Sequence, residues 1–411
     1  MRAMSRKAEA GPEAVEALAR QPRVARALEL LEREAEWVTE RHIEFTRIGA
    51  PTFGEQARGD WFLEQFRKLE LERVRRDEVG NVLGEIGGRG PARQRRLLVV
   101  SAHLDTVFPA GSRIEVRCRN GRIYAPGITD NGSGLAALLA LSRAFRQAGL
   151  RLRDTLLFVA NVGEEGEGDL HGMRHLLHQD KLRRQVRYLL VLDGANTDHI
   201  TALGLGSRRF RITVEGPGGH SWTDFGLAHP IYALASAVAR FSAVAVPANP
   251  RTTFNVGEMH GGTSINSVPF SASIKVDLRS SSEQEIGRLS AILEKLVEQA
   301  VEEENSRAHT GRLVCRIEQI GDRPAAELPG DARILQTVRA VDAYLGIASR
   351  VERSSTDANI PLSLGMEAIS LGGGGEGGGA HSPQEWYDPS GRVLGLKRLL
   401  LTICALAGPD S

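Results

Sequence analysis

The stretch that decides the fold is residues 97–106, Leu-Leu-Val-Val-Ser-Ala-His-Leu-Asp-Thr. Its first four residues are apolar without alternation, which is typical of a strand buried on both faces of a sheet. The run stops at His103, and Asp105 follows two residues later. Because open α/β sheets bind ligands beyond the carboxyl ends of their strands, this ending predicts a functional site. The alternative interpretation is a core histidine beside an aspartate that caps a helix.

The spacing of His103 and Asp105 favours the functional interpretation. In an extended chain, residues two apart point to the same side. Asp105 can then accept a hydrogen bond from one ring nitrogen of His103, which leaves the other nitrogen free to bind a metal ion.

Two more apolar strands are predicted to end at ionisable residues. The strand over residues 155–162 is followed by Gly163-Glu164-Glu165-Gly166, and the strand over residues 188–192 ends at Asp193. Turn chemistry explains one such ending, but it does not explain three. We therefore expect His103, the two glutamates and Asp193 to converge at one edge of the sheet.

Two glycine-rich segments carry further candidate residues. Residues 127–134 contain Asp130 and precede an apolar helix, so Asp130 can serve as a helix N-cap or as a ligand. Residues 372–379 include seven glycines and are followed by His381. Because glycine lets backbone N–H groups approach a ligand closely, we expect Gly373 to contact the substrate.

Composition excludes several classes of partner. The net charge of +1 favours neither nucleic acid nor an anionic membrane. The most apolar long stretch, residues 231–246, contains Arg240 and is followed by Pro247, so we interpret it as a buried helix rather than a membrane span. The three cysteines form no paired motif and no apolar leader follows the first residues, which predicts a reducing, cytoplasmic location.

The chain length of 411 residues predicts two domains. From Arg208 onward the pattern changes to strand, helix, two strands, helix and strand, which is typical of a small α+β domain. Buried strands return after it. The predicted fold is therefore α/β, with a catalytic domain of residues 1–206 and 322–411 and an inserted α+β domain of residues 207–321. The catalytic domain is expected to have a mostly parallel central sheet flanked by helices.

Two local elements are also predicted near the amino terminus. Apolar residues recur at helical spacing from Val24 to Ile48, which predicts one long helix. Residues 77–86 are predicted to form a strand that is interrupted at Gly80-Asn81.

The candidate ligands have nitrogen and oxygen donors and no thiolate. Such a set suits zinc, and also manganese or cobalt. One catalytic zinc ion takes three protein ligands, so five candidates indicate two metal ions that share a carboxylate. Such a pair lowers the pKa of a bridging water, which then reacts as hydroxide, and polarises a carbonyl. The five are His103, Asp130, Glu165, Asp193 and His381.

Glu164 is the spare carboxylate next to ligand Glu165, and it is the natural general base. The alternative is a solvated loop carboxylate, since the neighbouring segment also contains Glu167 and Asp169.

Taken together, the motifs resemble those of the dinuclear zinc exopeptidases and deacylases, which include peptidase T, carnosinase-type dipeptidases, glutamate carboxypeptidase and aminoacylase. The resemblance runs from about residue 45 to the end, with the motifs in the family's order. The matching segments are His103-Leu104-Asp105-Thr106-Val107, residues 127–134, Gly163-Glu164-Glu165-Gly166, Asp193-Gly194, Gly219-His220-Ser221 and Ala380-His381-Ser382.

The resemblance implies a role for each candidate. His103 and Asp193 would hold one zinc ion, Glu165 and His381 the other, and Asp130 would bridge them. Glu164 would be the general base, and Asp105 would orient His103. The resemblance also implies a cis peptide bond between Asp130 and Asn131. Aspartate at position 193 is similar to the tripeptidase and dipeptidase branches.

For the inserted domain, the resemblance implies a lid and a dimerisation surface, and hence a homodimer. His220, Asn266 and Arg279 match positions that contact the substrate. His220 would act in the active site of the partner subunit, where an imidazole N–H can stabilise an oxyanion.

Three classes of function remain at this point. The leading hypothesis is a hydrolase that cleaves a terminal peptide bond of a small peptide, or the amide bond of an N-acyl amino acid. A dinuclear phosphoesterase would need additional lysine or arginine near the metals, and the ligand loops are poor in both. A non-catalytic metal-binding protein would be favoured by loss of the base or of a ligand, and the sequence shows neither loss.

Overall fold

The computed structural model describes residues 11–91, 96–178 and 180–409. The chain divides into two compact units. The first comprises the residues up to Leu203 and those from Glu327 onward, and it is called the catalytic unit below. The second, Gly204–Ala326, is called the inserted unit.

The helices are α1 (Pro12–Ala19), α2 (Pro22–Arg33), α3 (Ala35–Thr46), α4 (Gln56–Lys68), α5 (Gly132–Gln147), α6 (His171–His178), α7 (Asp180–Arg183), α8 (Pro230–Ser242), α9 (Glu283–Arg307), α10 (Arg333–Leu345), α11 (Asn359–Ser363) and α12 (Arg392–Ala407).

The strands are β1 (Glu72–Arg76), β2 (Val82–Ile86), β3 (Leu97–His103), β4 (Arg117–Arg119), β5 (Arg122–Tyr124), β6 (Thr155–Asn161), β7 (Val186–Leu192), β8 (His199–Gly204), β9 (Gly206–Glu215), β10 (Gly219–His220), β11 (Thr252–Gly261), β12 (Ser267–Val268), β13 (Ser271–Ser280), β14 (Val314–Arg323), β15 (Ala326–Glu327), β16 (Arg350–Ser354), β17 (Ala368–Leu371), β18 (Glu376–Gly378) and β19 (Trp386–Asp388).

The central sheet is mixed, with a parallel middle and antiparallel edges. Its strand order is β1-β2-β6-β3-β7-β17-β8-β15, and β16 also pairs with β8. Strand β3 runs parallel to both β6 and β7, and β7 runs parallel to β17. The predicted fold class is confirmed. The unbroken apolar runs arise because these middle strands are buried on both faces.

A small second sheet lies in the catalytic unit. Its order is β18-β19-β5-β4, and all its pairings are antiparallel. Tyr387 of β19 is fully buried and packs in a small apolar cluster with Ile123 and Ile128. This sheet joins the segment before Asp130 to the segment after His381.

Two local predictions were wrong in detail. The helix predicted over residues 24–48 is broken at Glu34, which ends α2 and precedes α3. The Glu34 carboxylate accepts a hydrogen bond from Arg143 of α5 at 2.7 Å. The strand predicted over residues 77–86 begins only at Val82, because the Asp77 carboxylate binds the N–H groups of residues 79–81 and makes a turn.

The inserted unit is an antiparallel sheet with two helices packed on it. The sheet order is β11-β13-β9-β14, and α8 and α9 cover it, as the alternation of strands and helices predicted. Phe210, Ile212 and Leu278 of the strands pack with Leu234 of α8 and Leu293 of α9. Every second side chain of these strands faces this core, which explains the alternation of apolar and polar residues in the sequence.

Two further findings concern the helices and the cysteines. Among the residues that the structure describes, no helix combines the length and the apolar character needed to cross a bilayer. Cys118, Cys315 and Cys404 are free thiols.

Candidate metal centre

Three neighbouring strands bring the candidate residues to one edge of the sheet. His103 is the last residue of β3, Glu164 and Glu165 follow β6, and Asp193 follows β7. Because β3 lies between β6 and β7 and runs parallel to both, the carboxyl ends of the three strands meet. The structure therefore brings together the residues that the strand endings predicted.

The Asp130 carboxylate lies between two imidazoles. Its Oδ1 is 3.2 Å from His103 Nε2, and its Oδ2 is 3.1 Å from His381 Nε2. Asp193 Oδ1 lies 3.8 Å from the same nitrogen of His103, and Glu165 Oε1 lies 3.2 Å from that of His381. Two groups of three potential ligands result, and Asp130 belongs to both. Within each group the ligand atoms lie within 4.8 Å of one another.

Glu164 belongs to a third group of potential ligands, with His103 and Glu165. The side chain is buried, with an exposed fraction of 4%. The alternative of a solvated loop carboxylate is therefore excluded for Glu164, whereas Glu167 is exposed.

Asp105 orients the site through several hydrogen bonds. Its Oδ1 and Oδ2 accept the backbone N–H groups of Glu164 at 3.0 Å and Glu165 at 2.8 Å, and Thr52 donates to Oδ2 at 3.0 Å. His103 Nδ1 lies 3.1 Å from the backbone oxygen of Asp105 and 3.5 Å from its Oδ1. The expected partner of His103 is thus Asp105, although the hydrogen bond goes to its main chain.

The electrostatic field of the site is negative. Burial lowers the pKa of His103, but the carboxylates of Asp105, Asp130 and Asp193 outweigh it, so the pKa of the imidazole is raised well above its ordinary value. Hydrogen bonds to Asp130 and Glu165 raise the pKa of His381 to about 10. Such a field stabilises a positive charge, whether it is carried by a proton or by a cation.

The donor set fits divalent cations. His103 Nε2 is buried and has no hydrogen-bond partner among the described residues, although two carboxylates face it. Imidazole nitrogens and carboxylate oxygens that converge in this way are the usual ligands of zinc. When bound, two such cations would supply Lewis acidity and lower the pKa of a water.

Asn131 was not predicted as a site residue. It caps α5, since its Oδ1 accepts the N–H of Gly134 at 3.1 Å, and it also accepts the N–H of Gly194 at 3.2 Å. Its Nδ2 donates to the oxygen of Leu192 at 2.8 Å. Asn131 therefore connects the first turn of α5 to the Asp193 loop. The Asp130–Asn131 peptide bond is cis, as the resemblance predicted.

The contact of Gly373 with a substrate stays a prediction, but its backbone N–H already donates a hydrogen bond within the protein. The residue is buried, and the acceptor of its N–H is the oxygen of Gly194, at 2.8 Å. A Cβ atom at this position would lie 2.5 Å from the oxygen of Ser133. Glycine is required there because the loop packs closely on α5.

The inserted unit holds the other three candidates. His220 and Asn266 lie on paired segments, since β10 pairs with β12 and the N–H of Ser221 donates to the oxygen of Asn266 at 3.0 Å. His220 Nδ1 accepts the N–H of Trp222 at 3.1 Å. A neutral imidazole then carries its proton on Nε2. Arg279 on β13 donates to Asp277 at 2.6 Å.

The fold and the ligand groups define a metal-dependent hydrolase. Residues 99–404 match the peptidase family M20/M25/M40, and the chain belongs to this family. Family members typically carry a dinuclear metal centre, and the two groups that share Asp130 are candidates for it.

Two curated relatives and one solved structure illustrate the similarity. The uncharacterized protein YqjE of Bacillus subtilis is 23% identical over 349 residues, which cover 82% of this chain and 90% of YqjE. A succinyl-diaminopimelate desuccinylase of Xanthomonas oryzae pv. oryzae is 27% identical over 213 residues, covering 48% of this chain and 55% of the relative. The crystal structure of a Staphylococcus aureus tripeptidase superposes with a TM-score of 0.74 at 21% identity, covering 91% of this chain and 98% of that one.

His381→Ala should remove one of two bound metal ions. It takes a ligand from the group of Asp130, Glu165 and His381 and leaves the other group intact. Elemental analysis of the purified protein should give two transition-metal ions per wild-type chain and one for the variant. His178→Ala changes an exposed histidine at the end of α6 and should keep both. Equal metal content in wild type and His381→Ala would contradict the assignment.

Proposed function

We propose that this chain is a dinuclear metallopeptidase that hydrolyses a terminal peptide bond of small peptides. The observation that carries the proposal is the pair of ligand groups sharing Asp130, with the buried carboxylate of Glu164 beside them. Glu164 is not needed to complete either of these two groups. We therefore assign its carboxylate to proton transfer.

Glu164 is proposed as the general base. It would take a proton from the attacking water and later deliver it to the leaving amine. Asp105 positions it, because the backbone N–H of Glu164 donates to Asp105 Oδ1. Glu165, next in the chain, is proposed as a ligand beside His381. The adjacent glutamates thus have separate roles.

Zinc is proposed as the metal, with manganese or cobalt as alternatives, because the ligands are imidazoles and carboxylates. His103 and Asp193 would hold one ion, Glu165 and His381 the other, and Asp130 would bridge them. The distances from Asp130 to both histidines support this division.

The inserted unit is proposed to bind the substrate and the partner subunit of a homodimer. Arg279 is proposed to pair with a free carboxylate of the substrate, and Asn266 to accept or donate a hydrogen bond near it. His220 is proposed to donate a hydrogen bond from its Nε2–H to the oxyanion in the partner's active site. The hydrogen bond from Trp222 to Nδ1 supports this role, since it favours the tautomer with hydrogen on Nε2. We further propose a cytoplasmic location, which the three free thiols support.

An N-acyl amino acid is the second candidate substrate. The relatives include succinyl-diaminopimelate desuccinylase, whose name describes removal of an acyl group. Peptide cleavage is supported by similarity to a tripeptidase and to the aminopeptidase PepT of Bacillus cereus. Both substrates present an amide bond, so the same centre suits either.

A substrate panel tests the function. Small peptides are expected to be hydrolysed at one end, and N-acyl amino acids more slowly, while a generic phosphoester should not react. A chelator should abolish turnover, because the cations activate the water, and zinc, cobalt or manganese should restore it. Mass spectrometry of the products identifies the bond that is cut. Hydrolysis of the phosphoester alone, or full turnover in metal-free protein, would refute the proposal.

Glu164→Gln should keep both metals but lower kcat by roughly 10²–10⁴-fold, the usual contribution of a general base. Glu165→Gln should instead lower metal affinity. Steady-state kinetics and metal analysis on the same preparations separate the two effects. Glu167→Gln, at an exposed neighbour, is the control and should change neither. The base and ligand assignments are reversed if Glu164→Gln loses metal and Glu165→Gln does not.

His220→Ala should lower kcat by roughly 10²–10³-fold with normal metal content, because one oxyanion donor is lost. Mixing it with Glu164→Ala should regain part of the activity, since one hybrid site then has both an intact base and an intact donor. His260→Ala, at another exposed histidine of the inserted unit, is the control. Full activity of His220→Ala, or an active enzyme that sediments strictly as a monomer, would exclude action across subunits.

A further inference from the structure

Glu385 is a fully buried carboxylate that binds three backbone amides of the Asp130 loop. Its Oε2 accepts the N–H of Gly127 at 2.7 Å, and its Oε1 accepts those of Thr129 at 2.7 Å and Asp130 at 2.8 Å. The main chain of Asp130 is therefore held directly by the Glu385 carboxyl group.

Glu385 also lies four residues after His381. Hydrogen bonds connect the segment around Glu385 to the Asp130 loop at several positions. The N–H of Ala125 donates to the oxygen of Glu385 at 3.1 Å, and the Thr129 hydroxyl donates to the oxygen of Trp386 at 2.7 Å. Strand β19, which begins at Trp386, pairs with β5. The loops that carry Asp130 and His381 thus form one connected structure, with the Glu385 carboxylate at its centre.

The two ligand groups depend on this connection to different extents. In the group of Asp130, Glu165 and His381, two of three ligands lie on the loops that Glu385 joins. In the other group only Asp130 does. Its remaining ligands, His103 and Asp193, lie at the ends of β3 and β7, where the central sheet and Asn131 hold them.

We propose that Glu385 is a positioning residue that sets the metal affinity of the group containing His381 more than that of the group containing His103. The inference rests on the proposed dinuclear centre and deepens it. Glu385 does not touch the metal. It holds the backbone of Asp130 so that Oδ2 of this residue faces His381 while Oδ1 faces His103.

Glu385→Gln is the informative variant. Glutamine fills the same volume but carries no charge. An NH₂ group, which is a hydrogen-bond donor, replaces one of the two carboxyl oxygens. That donor must face either the N–H of Gly127 or the N–H groups of Thr129 and Asp130, so at least one amide loses its acceptor. The variant therefore loosens the connection between the two loops without creating a cavity.

Asp342→Asn is the matched control for a purely structural effect. Asp342 is also a buried carboxylate of the catalytic unit, and it binds the fully buried guanidinium of Arg398 at 2.6 and 2.7 Å. Neither residue belongs to a ligand group among the described residues. Removing one partner of a buried ion pair is strongly destabilising, so Asp342→Asn should lower the melting temperature and leave metal binding unchanged.

The experiment is a titration of metal-free full-length protein with Co²⁺ and, separately, Zn²⁺, followed by calorimetry and by the visible absorption of bound cobalt. Wild type should bind two ions. Glu385→Gln should bind one with unchanged affinity and the other roughly 10–100-fold more weakly, as for other residues that orient metal ligands. Glu385→Asp, which keeps two carboxyl oxygens as acceptors on a shorter side chain, should recover part of the loss. It also provides the test if the glutamine variant does not fold.

Three results would overturn the inference. The first is that Glu385→Gln and Glu385→Asp bind both ions as tightly as wild type. The second is that both sites weaken equally, and the third is that Asp342→Asn shows the same loss, because the effect would then follow general destabilisation. If wild type itself does not bind two ions, the proposed dinuclear centre is refuted, and this outcome is distinct from a change confined to the Glu385 variants.

Discussion

The shared carboxylate of Asp130 is the contact on which the rest of the site depends. One oxygen faces His103 and the other faces His381, at 3.2 and 3.1 Å. These two histidines come from distant parts of the chain, 278 residues apart in number. A single carboxylate can serve both only if its backbone is fixed, and three structures fix it. They are the Asn131 cap of α5, the Glu385 carboxylate and the small sheet that includes β5 and β19.

The central sheet positions the other candidate ligands around Asp130. Parallel packing of β3 between β6 and β7 places His103, Glu165 and Asp193 at one edge. The strands are buried on both faces, so their ends are rigid supports for charged side chains. Hydrogen bonds offset part of the cost of burying carboxylates at this edge. Asp105, for example, accepts the N–H groups of both Glu164 and Glu165.

Much of this arrangement could be predicted from sequence, for a physical reason. A buried strand that ends at a charged residue places that residue at the sheet edge, so His103 and Asp193 were predictable from apolar runs alone. Asp130 and His381 were also candidate ligands from their residue types, but they lie in glycine-rich loops whose course no periodicity reveals. Only the resemblance to a family therefore implied which metal ion each would bind.

The residues that sequence did not reveal act through the backbone of distant segments. Glu385 binds the amide of Gly127, 258 positions earlier in the chain, and no local pattern encodes such a contact. Gly373 shows that a glycine can also serve packing. A glycine in a glycine-rich loop suggests contact with a ligand, but here its N–H binds Gly194 and the lack of a Cβ allows close packing on α5. The break at Glu34 was missed because the apolar spacing continues across it.

The most direct test of the shared carboxylate is anomalous diffraction at the zinc edge from crystals of the zinc-loaded protein. The account predicts two anomalous peaks about 3.5–4 Å apart, the usual separation in two-metal sites. Each peak should lie against a different oxygen of Asp130. His103 should lie beside one peak and His381 beside the other. A single peak, or two peaks of which only one touches Asp130, would contradict it.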